Sequence, residues 1–300
     1  MSPVTVRAPA KVNLELLVGA AGDEGFHDVA TVYQAVSVFD DVTALPGDHL
    51  TVSVEGEYAD AVPVDDDNLA LVAARVLAEH IDVEPHAHLH IHKGIPVAAG
   101  MAGGSADAAA ALLALDRLWG AHLDRDELVE LAASIGSDVP FALVGHTAMG
   151  LGRGDKLTPV LARGHFHWVF AFAEDGLATP DVYGELDRLR RGSVLPEPRV
   201  SDSVMSALRA GNAVSLGGAL ANDLQRAAVS LRPGLSMTLD VGDEYGALGA
   251  LVSGSGPTCA FLARDEEHAL DLAVALTASG TCRSVASAVG PVPGARVVDA

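Results

Sequence analysis

Two glycine-rich stretches and a handful of charged residues have types and spacings that could do chemistry. The first stretch is Pro96-Val97-Ala98-Ala99-Gly100-Met101-Ala102-Gly103-Gly104-Ser105-Ala106, between a strand-like segment (88–92) and a helical run (106–119). Glycines let backbone N–H groups approach an anion, and a helix start adds unpaired donors and the positive end of a dipole. Ser105 at the helix start can contact a phosphate, contact a magnesium ion, or simply cap the helix. No Gly-Lys-Ser/Thr closes the stretch, so it is not a Walker A loop. Glycines at 100, 103 and 104 do not fit the dinucleotide fingerprint either. The second stretch, Ser253-Gly254-Ser255-Gly256-Pro257-Thr258, reads as a phosphate-contacting loop or as a tight turn between strands.

Any such phosphate site has to be locally positive. The 300 residues carry a formal charge of -21, with 19 Lys+Arg against 40 Asp+Glu. That surface repels nucleic acid and anionic membranes. Lys11, Lys93 and Lys156 are the lysines. Lys11 and Asn13 share one face if their segment is a strand; Lys11 is otherwise an exposed loop lysine. Asp138 can serve as a proton acceptor, or as an N-cap for a short helix opened by Pro140. His86, His88, His90 and His92 alternate, so on a strand they share a face, as a divalent-metal site or as a solvated polar face. No carboxylate or cysteine joins that series, which favours the solvated face. Cys259 and Cys282 lack metal-ligand spacing and read as buried free thiols of a reducing compartment. No apolar run approaches the roughly 20 residues of a membrane span, and the opening residues lack a secretory pattern. A cytoplasmic protein is expected.

The elements that must position these residues alternate in type. Strands are expected at 4–8, 12–18, 29–39 and 50–54, then a helix at 69–80 behind the acidic run Asp65-Asp66-Asp67-Asn68. Asp124 and Glu127 form a capping box for a helix that Gly136 ends. From about Lys156 shorter strands and helices follow. Their order, strand-loop-strand-helix-strand, resembles one half of a split βαβ sandwich.

Four ordered segments together resemble the GHMP small-molecule kinases. They are Pro9-Ala10-Lys11-Val12-Asn13-Leu14, the loop Pro96 to Ala106, Gly136-Ser137-Asp138-Val139-Pro140, and Ser253 to Thr258. The resemblance implies an α+β, two-domain fold. Its N-terminal ATP-binding domain (1–155) would be like the second domain of a small-subunit ribosomal protein, and its C-terminal substrate domain (156–300) ferredoxin-like. It implies ATP as donor, Mg²⁺, and in-line transfer without a phosphoenzyme. Lys11 and Asp138 would be catalytic, the first offsetting charge on the substrate oxygen and the second taking its proton. Asn68, Lys93, Pro96, Gly100, Met101, Ala102, Gly103, Gly104, Ser105 and Ala106 would hold ATP.

Substrate would meet Asn13, Phe26, His27, Asp138, Thr179, Tyr183, Ser255 and Gly256. Gly25-Phe26-His27, Asp67-Asn68-Leu69, Ala178 to Tyr183 and Asn222-Asp223-Leu224 are similar to one branch, which acts on a small cytidine diphosphate substrate of non-mevalonate isoprenoid synthesis. Phe26 and Tyr183 would stack on the base, worth roughly 1–3 kcal/mol each. Branches acting on homoserine or mevalonate compounds, and a non-catalytic nucleotide sensor, are the alternatives. Four positions depart from the family pattern. Phe26 stands where tyrosine is commoner, Met101-Ala102 replaces Leu-Gly, and Asp107 replaces a small or polar residue and is expected to point outward.

Overall fold

The fold is a computed structural model that describes residues 2–22 and 26–298. Two sheets organise it. The first follows from four strands, β1 (Val4–Ala21), β2 (His27–Leu45), β3 (Thr51–Gly56) and β4 (His88–Lys93), with helix α1 (Leu69–His80) between the last two. Next come α2 (Gly103–Trp119), α3 (Arg125–Ile135), α4 (Val139–Val144), β5 (Thr147–Gly152) and β6 (Lys156–Pro159). The second sheet opens with β7 (Phe166–Phe172). The chain continues through α5 (Thr179–Leu189), α6 (Asp202–Ala210), α7 (Ala213–Gly217), β8 (Ala221–Asn222), α8 (Gln225–Leu231) and α9 (Gly234–Glu244). After them come β9 (Gly249–Val252), β10 (Cys259–Ala263), α10 (Glu266–Ser279), β11 (Ser284–Gly290) and β12 (Arg296–Val298).

The first sheet has eight strands along the path β12-β1-β2-β4-β3, with β5 on β2, β6 on β5 and β8 on β1. The second has four antiparallel strands ordered β11-β7-β10-β9. That order, with helices before β9 and after β10, is the split β-α-β-β-α-β arrangement. The change of sheet comes at Phe166, later than the border expected at 155/156, which falls between two paired strands of the first sheet. Residues of β8 and β12 also return to that first sheet, so the two halves interlock.

The segments expected at 4–8 and 12–18 form one strand of 18 residues. Pro9 is tolerated inside it because the register shifts between Pro9 and Ala10, the kind of irregularity that absorbs a missing donor. Helix α2 is buried on nearly every side, through Ala106, Ala108, Ala109, Ala110, Ala111 and Ala114. Small side chains let it lie close against β1, β2 and α1. Trp168 on β7 donates its indole N–H to Gln34 Oε1 on β2 at 3.0 Å, fixing one sheet against the other. One apolar cluster runs through both, from Val6 and Leu89 to Phe170 and Leu262. The cleft between the sheets is therefore walled by a common core.

On β4 the alternating histidines face β3. His88 meets Thr51 and Ser53, and both His90 and His92 lie 3.2 Å from Glu55 Oε1. Cys259 is buried and unpaired, with its thiol pushed up to about 12 by burial. Among the described residues no helix is long and apolar enough to cross a membrane.

Candidate active site

The helix expected from Ala106 begins at Gly103, so Gly103, Gly104 and Ser105 form its first turn. Its N-cap is Ala102, in a left-handed conformation with φ +59°, and no side chain caps the helix. Ser105 is thus not a capping serine. An α-helix leaves its first N–H groups without intrahelical partners, and here they face a cleft of about 450 Å³. Gly100, Ala102, Gly103, Gly104 and Ser105 line that cleft. Met101 and Ala106 are fully buried beneath it, and Pro96 is buried away from its wall. Met101 earns its place as an anchor: its carbonyl accepts the Lys11 N–H at 3.2 Å, tying the loop to β1.

The second glycine turn docks on the first. Ser253 Oγ donates to the Gly100 carbonyl at 3.2 Å. Asn222 holds the turn from behind, donating to the carbonyls of Val252 and Gly254 at 2.6 and 2.7 Å. Gly100 has φ +70°, and a Cβ there would lie 2.1 Å from the Ser253 carbonyl oxygen. Gly100→Ala is therefore expected to cost about 1–3 kcal/mol in backbone strain alone, and to push the two turns apart. A lower melting temperature together with a raised KM for ATP would register it; a variant matching the parent in both would show that the turns tolerate separation.

Three elements bring a cation, a carboxylate and a phenol together. Lys11 and Asn13 lie on β1, with Lys11 Nζ donating to Asn13 Oδ1 at 2.7 Å. Asp138 occupies the N-cap position of α4, yet its side chain makes no cap hydrogen bond. It turns instead toward Lys11, with Oδ2 at 3.6 Å from Nζ, and accepts from Tyr33 O–H through Oδ1 at 3.1 Å. Tyr33, on β2, stacks on Phe141 with ring centroids 4.8 Å apart. Burial, then the neighbouring Asp138, holds its phenol well above the ordinary range, so it is a neutral donor. A Cβ at Gly154 would lie 2.3 Å from the Tyr33 hydroxyl, so that glycine makes room for it. Lys11, Asn13, Tyr33 and Asp138 all line the cleft with the uncapped turn of α2.

A second recess of about 490 Å³ adjoins it, sharing Val29, Ser137, Arg153, Thr179 and Tyr183. Phe26 and His27 line it opposite the start of α5. Phe26 is 59% exposed, an apolar ring left free at a rim. His27 Nε2 lies 2.8 Å from Asp187 Oδ1, and its ring packs 5.0 Å from that of Tyr183. Burial, then Asp138, pushes the Tyr183 phenol up to about 12. Thr179 and Ser255 hydroxyls meet at 2.9 Å, and with Gly256 they close the cleft on the side of the second sheet. Gly25 lies outside the described residues.

Two expected nucleotide contacts lie elsewhere. Asn68 is buried and spent on α1: its Oδ1 accepts from Ala70 N–H at 2.9 Å and its Nδ2 donates to the Pro63 carbonyl. Lys93 is 1% exposed and pairs with two carboxylates, Asp40 Oδ2 at 2.5 Å and Asp107 Oδ2 at 2.8 Å. Asp107 does not point outward as expected. It lies 3% exposed beneath the loop, where Lys93 gives it a partner.

Tyr33 and Arg153 were invisible as site residues in the sequence. Tyr33 lay in a strand of ordinary alternation, and Arg153 in what reads as a plain turn. The signals that would have found them are an aromatic paired across the strands with Asn13 and an arginine flanked by glycines. Arg153 lines both recesses, with its guanidinium 5.4 Å from the Phe26 ring centroid.

The comparisons with known proteins agree with this geometry. Residues 68–146 match the profile of the GHMP kinases N terminal domain and residues 204–282 that of the GHMP kinases C terminal domain. A 4-diphosphocytidyl-2-C-methyl-D-erythritol kinase of Streptomyces avermitilis is 56% identical over 295 residues, covering 98% of this chain and 99% of the relative. The enzyme of that name from Streptomyces coelicolor is 57% identical, with 99% of each chain covered. A crystal structure of 4-(cytidine 5'-diphospho)-2C-methyl-D-erythritol kinase superposes with a TM-score of 0.76 at 32% identity, covering 95% of this chain and 98% of that one. A homoserine kinase from Cytophaga hutchinsonii shares the fold, with a TM-score of 0.75 at 17% identity over 99% of this chain and 98% of its own. An α2 N-terminus left open to an anion, a lysine-held carboxylate across the cleft from it, and matches over both halves lead to one assignment: the chain belongs to the GHMP kinase family.

Proposed function

We propose that the protein transfers the γ-phosphoryl group of ATP to the 2-hydroxyl of 4-diphosphocytidyl-2-C-methyl-D-erythritol. The observation that carries this is the Asp138 carboxylate. At a cap position it makes no cap bond, and it stands instead between Lys11 and Tyr33 in the cleft with the open α2 turn. Tyr33 donates to Oδ1, which leaves Oδ2 to accept the proton of the acceptor hydroxyl. The Lys11 ammonium beside it offsets the charge that develops on the acceptor oxygen. The N–H groups of Gly103, Gly104 and Ser105 receive the triphosphate, so donor and acceptor meet in line.

ATP carries Mg²⁺ with it in this reading. Among the described residues no three His, Cys, Asp or Glu side chains gather as a metal cage. That suits Mg²⁺, which is usually held by substrate phosphates, water and one or two protein oxygens. Ser105 is the hydroxyl of the loop available to it. When bound, the ion neutralises charge on the phosphates.

The adjoining recess accounts for the nucleoside. Phe26 and Tyr183 offer aromatic faces for cytosine. His27 has Nε2 committed to Asp187, so its Nδ1 or backbone would read the base edge. Arg153, at the junction of the recesses, is placed for a diphosphate between base and acceptor alcohol. Acceptors without a nucleobase leave all of these without a task. The test is a panel of acceptors with purified protein and ATP. Turnover is expected with the cytidine diphosphate alcohol and not with homoserine or phosphomevalonate; equal turnover with either of the latter overturns the acceptor assignment.

A further inference from the structure

Thr31 lies on β2 outside the cleft wall, fully buried. Its hydroxyl donates to the Glu15 carbonyl at 2.7 Å, beside the register shift of β1 between Asn13 and Glu15. A carbonyl oxygen can only accept, so the single proton of Thr31 is spent there. Toward Asn13, 2.8 Å away, the hydroxyl can then only accept. The Asn13 atom facing it must be the amide nitrogen. The amide oxygen consequently faces Lys11, whose ammonium donates to it at 2.7 Å. Lys11 in turn stands 3.6 Å from Asp138 Oδ2. A chain of forced donor and acceptor roles thus runs from a backbone carbonyl to the cation of the site. Asn13 is 2% and Lys11 7% exposed, so water cannot readily replace a member.

We propose that Thr31 is a positioning residue for phosphoryl transfer: by fixing the Asn13 amide it aims the Lys11 ammonium at the Asp138 carboxylate. The proposal rests on the roles given above to Lys11 and Asp138. Without the Thr31 hydroxyl the Asn13 Nδ2 loses its buried acceptor, and only the Lys11 ammonium is left to hold the amide, by its oxygen. The amide then swings about its side-chain torsions and carries the bound ammonium out of line with Asp138. Small misplacements of a reacting group are costly in rate but hardly change how substrates bind at a distance.

The test is a double-mutant cycle in the full-length protein, read by steady-state kinetics. Thr31→Val is expected to lower kcat roughly 10- to 100-fold with both KM values within about twofold. Thr31→Ser, which keeps the hydroxyl, should recover most of that loss. In an Asn13→Ala background, Thr31→Val should cost less than about twofold, because the amide it orients is gone. The same loss in both backgrounds, or a loss that Thr31→Ser does not recover, overturns the proposal. If Thr31→Val does not fold by its melting curve, Thr31→Ala replaces it in the same cycle. Lys11→Met is measured alongside: full turnover in that variant overturns the role of the pair itself, whereas loss there without coupling between 31 and 13 overturns the positioning alone.

Discussion

Asp138→Asn is expected to lower kcat by about 10²- to 10⁴-fold, the range that a positioned proton acceptor contributes, while the KM of the acceptor stays within a few-fold. The substitution is nearly isosteric. Since Asp138 makes no cap hydrogen bond to α4, its replacement should leave the melting temperature close to that of the parent. Tyr33 can still donate to the amide oxygen in place of Oδ1, so the side chain keeps its place. What is lost is the lone pair beside Lys11 that takes the proton. Calorimetric binding of the acceptor should therefore persist where turnover does not. A variant with parental kcat removes Asp138 as the base.

Local pattern carried much of this site. The loop glycines, the Asp124 capping box and the α1 span were legible because each follows from short-range rules of turn and cap chemistry. Asp138 was legible as a carboxylate before a proline, but its meaning was not. Whether it caps α4 or serves the cleft depends on Lys11 and Tyr33, which are distant in sequence and brought close by the β1–β2 pairing. The same holds for Asn68 and Lys93. Near a phosphate loop a lysine invites pairing with phosphate, and only the register of β4 beside β2 reveals that Asp40 reaches Lys93 first. Helices α5 and α8 were also missed as elements. Thr179-Pro180 looked like a motif, although Pro at the first turn is a helix opener. The 11 residues of α5 and the 7 of α8 are short stretches for a 3.6-residue pattern to stand out.

Lys93→Met is expected to destabilise the fold by about 3–5 kcal/mol, the cost of breaking a buried ion pair from one side, a large part of a typical stability of about 5–15 kcal/mol. Burial pulls the Lys93 pKa down, but Asp107 and Asp40 outweigh it and leave it raised. Removing the ammonium leaves two carboxylates facing each other without a counter-charge. Asp40 also accepts the N–H groups of Gly94 and Ile95, both at 2.8 Å, so the segment leading into the loop would loosen too. Denaturant unfolding measures the loss. Parental stability with a raised KM for ATP would instead return Lys93 to the nucleotide. Asp107→Asn tests the cluster from its other side. Burial, then Asp40, holds the Asp107 carboxyl well above its ordinary value. A carboxyl raised in this way binds protons preferentially in the folded state. Its contribution is fully present below the unfolded pKa of about 3.9 and is lost as pH rises through the folded value. Asp107→Asn removes that term and keeps Lys93 paired with Asp40, so stability should fall less with rising pH from about 4 upward than it does in the parent. The parent's slope persisting unchanged in the Asn variant would mean that Asp107 is not the group that takes up the proton beneath the loop.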